Sequence, residues 1–118
     1  RDWGHALDHV RCMRLMLEAP DAMDYVVATG VPHRLEDFLT AAFQAAGLDD
    51  PWQYVVQDPD LMRPAEVMET RGDATKAREQ LGWVPEIAFE AMVEEMVRVE
   101  LLRVESGVEH SVDYVSTR

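Results

Sequence analysis

One cysteine, one lysine and six scattered glycines in 118 residues set the first limits on this protein. Cys12 on its own excludes an internal disulfide and fits a reducing compartment. It lies among apolar residues at helical spacing, with no local His or Asp to activate it, and reads as a buried, inert thiol rather than a nucleophile. The glycines stand singly at 4, 30, 47, 72, 82 and 107. None forms the G-x-G-x-x-G of a dinucleotide-binding turn, so no cofactor-binding residue is assigned on that route. No segment approaches the roughly 18 consecutive apolar residues of a membrane span. A basic-then-apolar leader and an initiator Met are also missing; the chain starts Arg-Asp-Trp, and we expect a fragment without a targeting signal.

Positive charge is scarce as well. Eleven bases against 23 acids give a formal net charge of −12, a field that repels polyanions and argues against nucleic acid as a partner. Ten of the bases are Arg and Lys76 is the only lysine. A few converging guanidinium groups can still bind one diphosphate inside an acidic protein, so a small anionic ligand stays open. His5 and His9, four apart, lack the Glu that follows the first His in zinc hydrolases; they read as surface or packing residues, and no metal site is expected.

What is present fits one soluble globular domain, with 47% hydrophobic and 29% charged residues. Ala6, Val10, Met13 and Leu17 recur at helical spacing and predict a helix from about Ala6 to Leu17, with Asp8 in its first turn. Leu35, Phe38, Leu39, Ala42, Phe43 and Ala46 predict a second helix from about Arg34 to Ala46, stopped by Gly47. A short helix follows the N-cap candidate Asp73 and ends at Leu81-Gly82, with Pro85 beyond it. A last helix runs from about Phe89 to Glu105, with Phe89, Met92, Val93, Met96, Val97 and Leu101 on one face and Gly107 as its break. Two short strands are expected, at Asp24–Thr29, covered on both faces, and at Tyr54–Gln57. This order is an α/β or α+β piece with too few strands for a self-contained doubly wound sheet.

Among possible ligand contacts, Arg63 precedes Pro64, which pushes it toward an extended backbone and presents its guanidinium from a loop. Such an Arg suits bidentate phosphate recognition, and Glu66 suits ribose hydroxyls. An ion pair of Glu66 with Arg63 or Arg71 accounts for the same residues. Arg1 likewise faces a phosphate or pairs with Asp2. Trp3, Trp52 and Trp83 stack on a base or pack in a core. The residues alone leave these alternatives open.

Five segments taken together are more specific: Arg1-Asp-Trp-Gly-His-Ala6, Asp24-Tyr-Val-Val-Ala-Thr-Gly30, Arg63-Pro-Ala-Glu-Val67, Gly72-Asp-Ala-Thr-Lys-Ala77 and Leu81-Gly-Trp-Val-Pro85. In that order and at those intervals the chain resembles the GDP-mannose 4,6-dehydratases, extended short-chain dehydrogenase/reductases, over about residues 1–105. The resemblance implies an α/β class in which residues 1–106 form the carboxy-terminal substrate-binding lobe. That lobe is expected to be mostly helical with short strands, with the Rossmann core absent and a tail at 107–118. It implies conversion of GDP-mannose to GDP-4-dehydro-6-deoxy-mannose, feeding GDP-fucose or GDP-rhamnose synthesis, with NADP bound by the missing amino-terminal portion. The family's catalytic residues lie upstream, so none is assigned here.

By resemblance Arg1 and Arg63 hold the diphosphate and Glu66 the ribose hydroxyls. GDP-mannose, the missing Rossmann lobe and further copies of the full enzyme in a homo-oligomer are the implied partners, in the cytoplasm. Two positions depart from the family pattern: Met68 stands where an acid is common after Glu-Val, and Ala88 where Ser or Thr commonly caps the last helix. The alternatives are the substrate lobe of another nucleotide-sugar epimerase or reductase, and a stand-alone interaction module.

Overall fold

The computed structural model describes residues 1–62, 65 and 67–107; Arg63, Pro64, Glu66 and the expected tail at 108–118 lie outside the described residues. Four α-helices carry the fold: α1 (Ala6–Glu18), α2 (Leu35–Ala45), α3 (Thr75–Leu81) and α4 (Phe89–Ser106). All four coincide with helices expected from apolar spacing and stop signals. Gly82 and Gly107 end α3 and α4 with left-handed φ of 64° and 67°, a conformation that a side chain resists.

The core has two parts. In one, Cys12 of α1, Ala77 of α3 and Trp83 are buried together, with Leu15, Met16, Tyr25 and Val27 against them. In the other, α4 buries Phe89, Met92 and Val93 against Trp3 and against Phe38, Ala41 and Ala42 of α2. Trp3 lies 5.4 Å from the Phe38 ring and 5.8 Å from Phe89, and the His33 imidazole stacks on Phe89 at 3.8 Å. Trp3 and Trp83 are thus packing residues, whereas Trp52 is exposed. Cys12 is fully buried, and burial pushes its thiol above the ordinary value, as expected of an inert cysteine.

Asp8 fastens α1 to the second half of the chain. Its buried Oδ2 accepts from the backbone N–H groups of Glu86 (3.1 Å) and Ile87 (3.0 Å). Its Oδ1 lies 3.3 Å from Arg11, and its carbonyl accepts from the Trp83 indole at 2.8 Å. Arg11 continues the tie, bonding the Val84 carbonyl and the Glu86 carboxylate.

Three expectations need correction: the two strands and the two-sided cover of the first. Neither predicted strand forms: among the described residues there is no β-strand, only an isolated antiparallel bridge between Asp2 and Pro32. A strand requires a ladder partner for its peptide groups. At 24–29 Tyr25 and Val27 face the core while Val26 is exposed, the alternation of an extended segment, but no neighbouring backbone pairs along it. The cover expected on both faces is present on one. At 54–57 two Asp-Pro pairs intervene. Asp50 accepts from Trp52 N–H and Asp58 from Asp60 N–H, each opening a 3₁₀ turn, at Pro51–Gln53 and Pro59–Leu61. Too little chain is left between them for a ladder.

The α1 helix forms where it is expected, yet Val10, Met13 and Leu17, whose spacing predicts it, are 58%, 57% and 88% exposed. The buried side carries Asp8 and Cys12 instead, because the Asp8 contacts turn that side inward.

Ala88 occupies the N-cap of α4 with extended backbone (φ −66°, ψ 155°) and supplies no side-chain acceptor. Ala88→Ser is therefore expected to stabilise the protein by about 0.5–2 kcal/mol, read as a higher urea midpoint at constant m-value; an unmoved midpoint contradicts it.

Candidate functional site

Arg1 is placed by backbone pairing. Its N donates to the His33 carbonyl at 2.6 Å, and His33 N–H returns a bond to the Arg1 carbonyl at 2.8 Å. With the amino end held against residues 32–33, the Arg1 side chain crosses to the far loop, where Nη1 donates to the Val67 carbonyl at 2.6 Å. Val67 follows Glu66 directly in the sequence. The two segments singled out from sequence, 66 residues apart, thus meet through one guanidinium. Arg63 and Glu66 themselves lie outside the described residues. A cavity of about 300 Å³ opens beside this contact, lined by Arg1, His33, Arg34 and Glu69 among others. Arg34 on its rim is paired with Glu36 at 2.5 Å.

Asp2 is the residue that sequence reasoning missed, having weighed it only as an ion-pair partner of Arg1. Its Oδ1 accepts from Thr29 N–H (3.0 Å) and the Thr29 hydroxyl (2.5 Å). Its Oδ2 accepts from Gly30 N–H (2.9 Å) and Gly72 N–H (3.0 Å). Burial pushes the Asp2 carboxyl up, and these four hydrogen bonds outweigh it, holding the group below its ordinary 3.8. The carboxylate is therefore charged at neutral pH and acts purely as an acceptor.

Gly72 must be a glycine for this to work. A Cβ there would sit 2.2 Å from the Ala28 Cβ, too close for any side chain to be placed without moving the backbone.

His5 and His9 have structural duties. Leu7 N–H donates to His5 Nδ1 at 3.1 Å, capping α1, which leaves Nε2 as the protonated nitrogen facing Glu95 at 3.2 Å. His9 Nδ1 lies 3.0 Å from the His5 carbonyl. Among the described residues no cluster of His, Cys, Asp or Glu could hold a metal ion. No described helix is long and apolar enough to cross a membrane. Gly30 and Gly72 present their N–H groups to the Asp2 carboxylate.

The fold is shared with parts of two solved structures. A structure of RMD from Pseudomonas aeruginosa complexed with NADPH superposes with a TM-score of 0.72 at 22% identity, over 83% of this chain and 31% of that one. UDP-glucose 4-epimerase from Bifidobacterium longum, in complex with NAD+ and UDP, gives 0.73 at 23% identity, over 88% and 30%.

Sequence comparison narrows the class. The family model for GDP-mannose 4,6 dehydratase matches residues 1–96, and the chain belongs to that family. GDP-mannose 4,6 dehydratase 2 of Arabidopsis thaliana is 48% identical over 102 residues, covering 86% of this chain and 27% of the relative. The Homo sapiens GDP-mannose 4,6 dehydratase is 38% identical over 121 residues, 87% of this chain and 32% of the relative. The chain therefore spans about a quarter to a third of the length of these curated relatives.

Proposed function

We propose that this chain is the substrate-binding lobe of an enzyme that converts GDP-mannose to GDP-4-dehydro-6-deoxy-mannose, and that it binds the nucleotide diphosphate without supplying catalytic groups. The observation that carries the reading is the Arg1 guanidinium reaching the Val67 carbonyl across 66 residues. It brings Val67, the residue after Glu66 in the sequence, against Arg1 beside one cavity, and two guanidinium groups with a carboxylate are the groups that suit a diphosphate and a ribose.

In this reading Arg1 and Arg63 hold the diphosphate and Glu66 accepts from the ribose hydroxyls. An amino-terminal Rossmann portion would hold NADP, which would supply the uptake and return of the hydride within each turnover. This chain's part is to bind and orient the sugar nucleotide. The rest of the enzyme covers the exposed apolar side of α1 and supplies ladder partners for the 24–29 segment. A cytoplasmic, homo-oligomeric enzyme completes the proposal.

Substitution of Arg63 tests it. In the complete enzyme Arg63→Ala removes a charge-assisted contact, so KM for GDP-mannose should rise by a factor of about 10–150, corresponding to about 1.5–3 kcal/mol, with kcat little changed. An unchanged KM in a folded variant removes Arg63 from the site. If the complete enzyme binds neither GDP nor GDP-mannose by calorimetry, the whole reading falls.

A further inference from the structure

We propose that Asp2 is a positioning residue for diphosphate binding: its carboxylate locks the 29–30 turn and the 72 segment around the base of Arg1, fixing where that guanidinium points. The proposal rests on the reading of Arg1 as a diphosphate ligand and deepens it.

Three features carry it. First, one carboxylate accepts four hydrogen bonds from two chain segments 27 to 70 residues away, filling its acceptor sites. Second, those segments run directly into the walls of the Arg1 cavity. Gly30 leads to Pro32, His33 and Arg34, and Gly72 follows Met68 and Glu69. Third, the close approach of Gly72 to Ala28 leaves no slack in the clamp, since even a methyl group at 72 would overlap. Arg1, next to Asp2 in the chain, thus projects from a floor whose two sides are held by a single side chain. A long, flexible Arg gains from this because each rotamer frozen before binding is one that the ligand need not freeze.

A purely structural Asp2 would lower stability and leave affinity alone; a positioning Asp2 must act through Arg1. The test is a double-mutant cycle in the complete enzyme, with GDP as the probe in calorimetry and GDP-mannose in kinetics. The variants are Asp2→Asn, Arg1→Ala and the two combined, with thermal melts alongside. Asn keeps the size but turns an N–H₂ toward one pair of donors. We expect Asp2→Asn to weaken GDP binding about tenfold or more when Arg1 is present and less than about threefold when it is Ala, the non-additivity of groups that act as a unit. KM should rise with binding while kcat stays within about twofold.

Should Asp2→Asn fail to fold, Thr29→Val decides in its place, because it removes the hydroxyl's bonds to Asp2 and to Val31 and leaves the carboxylate and its three backbone bonds. It is expected to weaken GDP binding by about two- to fivefold, with the loss again confined to the Arg1 background. Equal losses in both backgrounds, or an unchanged affinity, overturn the proposal and leave Arg1 as a ligand. An Arg1→Ala variant that binds GDP as tightly as the parent overturns the Arg1 reading itself, and the positioning role with it.

Discussion

Asp8→Ala should cost about 3–5 kcal/mol of stability, the range for breaking a buried charged network from one side. The substitution strands the N–H groups of Glu86 and Ile87 and leaves Arg11 without its buried neighbour. The Trp83 indole keeps its bond, since its acceptor is the main-chain carbonyl of residue 8, so packing around Trp83 should loosen last. A loss of this size is a large share of the roughly 5–15 kcal/mol that a folded domain has in total. Asp8→Asn separates charge from hydrogen bonding, because it retains one acceptor oxygen for the same two N–H groups, and it should cost less than Ala. Urea unfolding of the complete enzyme followed by tryptophan fluorescence measures both. A midpoint for Asp8→Ala within error of the parent would mean that α1 is held by its apolar contacts alone.

The second large effect concerns the 118-residue chain by itself. Leu7, Val10, Met13 and Leu17 are all more than half exposed, and each apolar side chain of that size gains about 1.5–3 kcal/mol when fully covered. The 24–29 segment adds peptide groups with no ladder partner among the described residues. Contiguous apolar exposure of this kind drives association. At micromolar concentration the isolated chain is expected to bind a hydrophobic dye, to melt broadly and to self-associate with increasing concentration. Replacing Val10, Met13 and Leu17 by Gln should abolish the association while leaving helix content intact. In the complete enzyme the same triple substitution should weaken the attachment of this lobe and lower thermal stability. A sharp, high-temperature melt of the isolated chain at low concentration would contradict the expectation.

Helices were legible in the sequence because their signals are local. The period of Phe38, Ala42 and Phe43, the stops at Gly82 and Gly107 and the run from Phe89 to Val97 need no knowledge of distant chain. What faces each helix is not local information. The stripe Val10–Met13–Leu17 states that α1 has an apolar side, but not what covers it, and in the fold that side is exposed. The strand expected at Asp24–Thr29 failed for a related reason, since β-propensity describes half of a ladder.

At Tyr54–Gln57 the reason is different: the flanking Asp50-Pro51 and Asp58-Pro59 pairs form turns, and these outweigh the strand propensity of the four residues between them. In the site, Arg1 was visible through family resemblance, and its meeting with Val67 came only from the fold. Asp2 stayed hidden because its partners, Thr29, Gly30 and Gly72, bind it mainly through backbone N–H groups, which leave no trace in residue identity.

Lys76 shows what a scarce residue type can be used for. Its ammonium donates to the Asp24 carbonyl at 2.9 Å and stands 5.0 Å above the Tyr25 ring, tying α3 to the start of the extended segment. Because every other side-chain cation is an arginine, reagents that acylate lysine have one side-chain target in these 118 residues. Its reactivity becomes a site-specific gauge of whether residues 24–25 remain attached to α3, readable by mass spectrometry without introducing a label or a substitution.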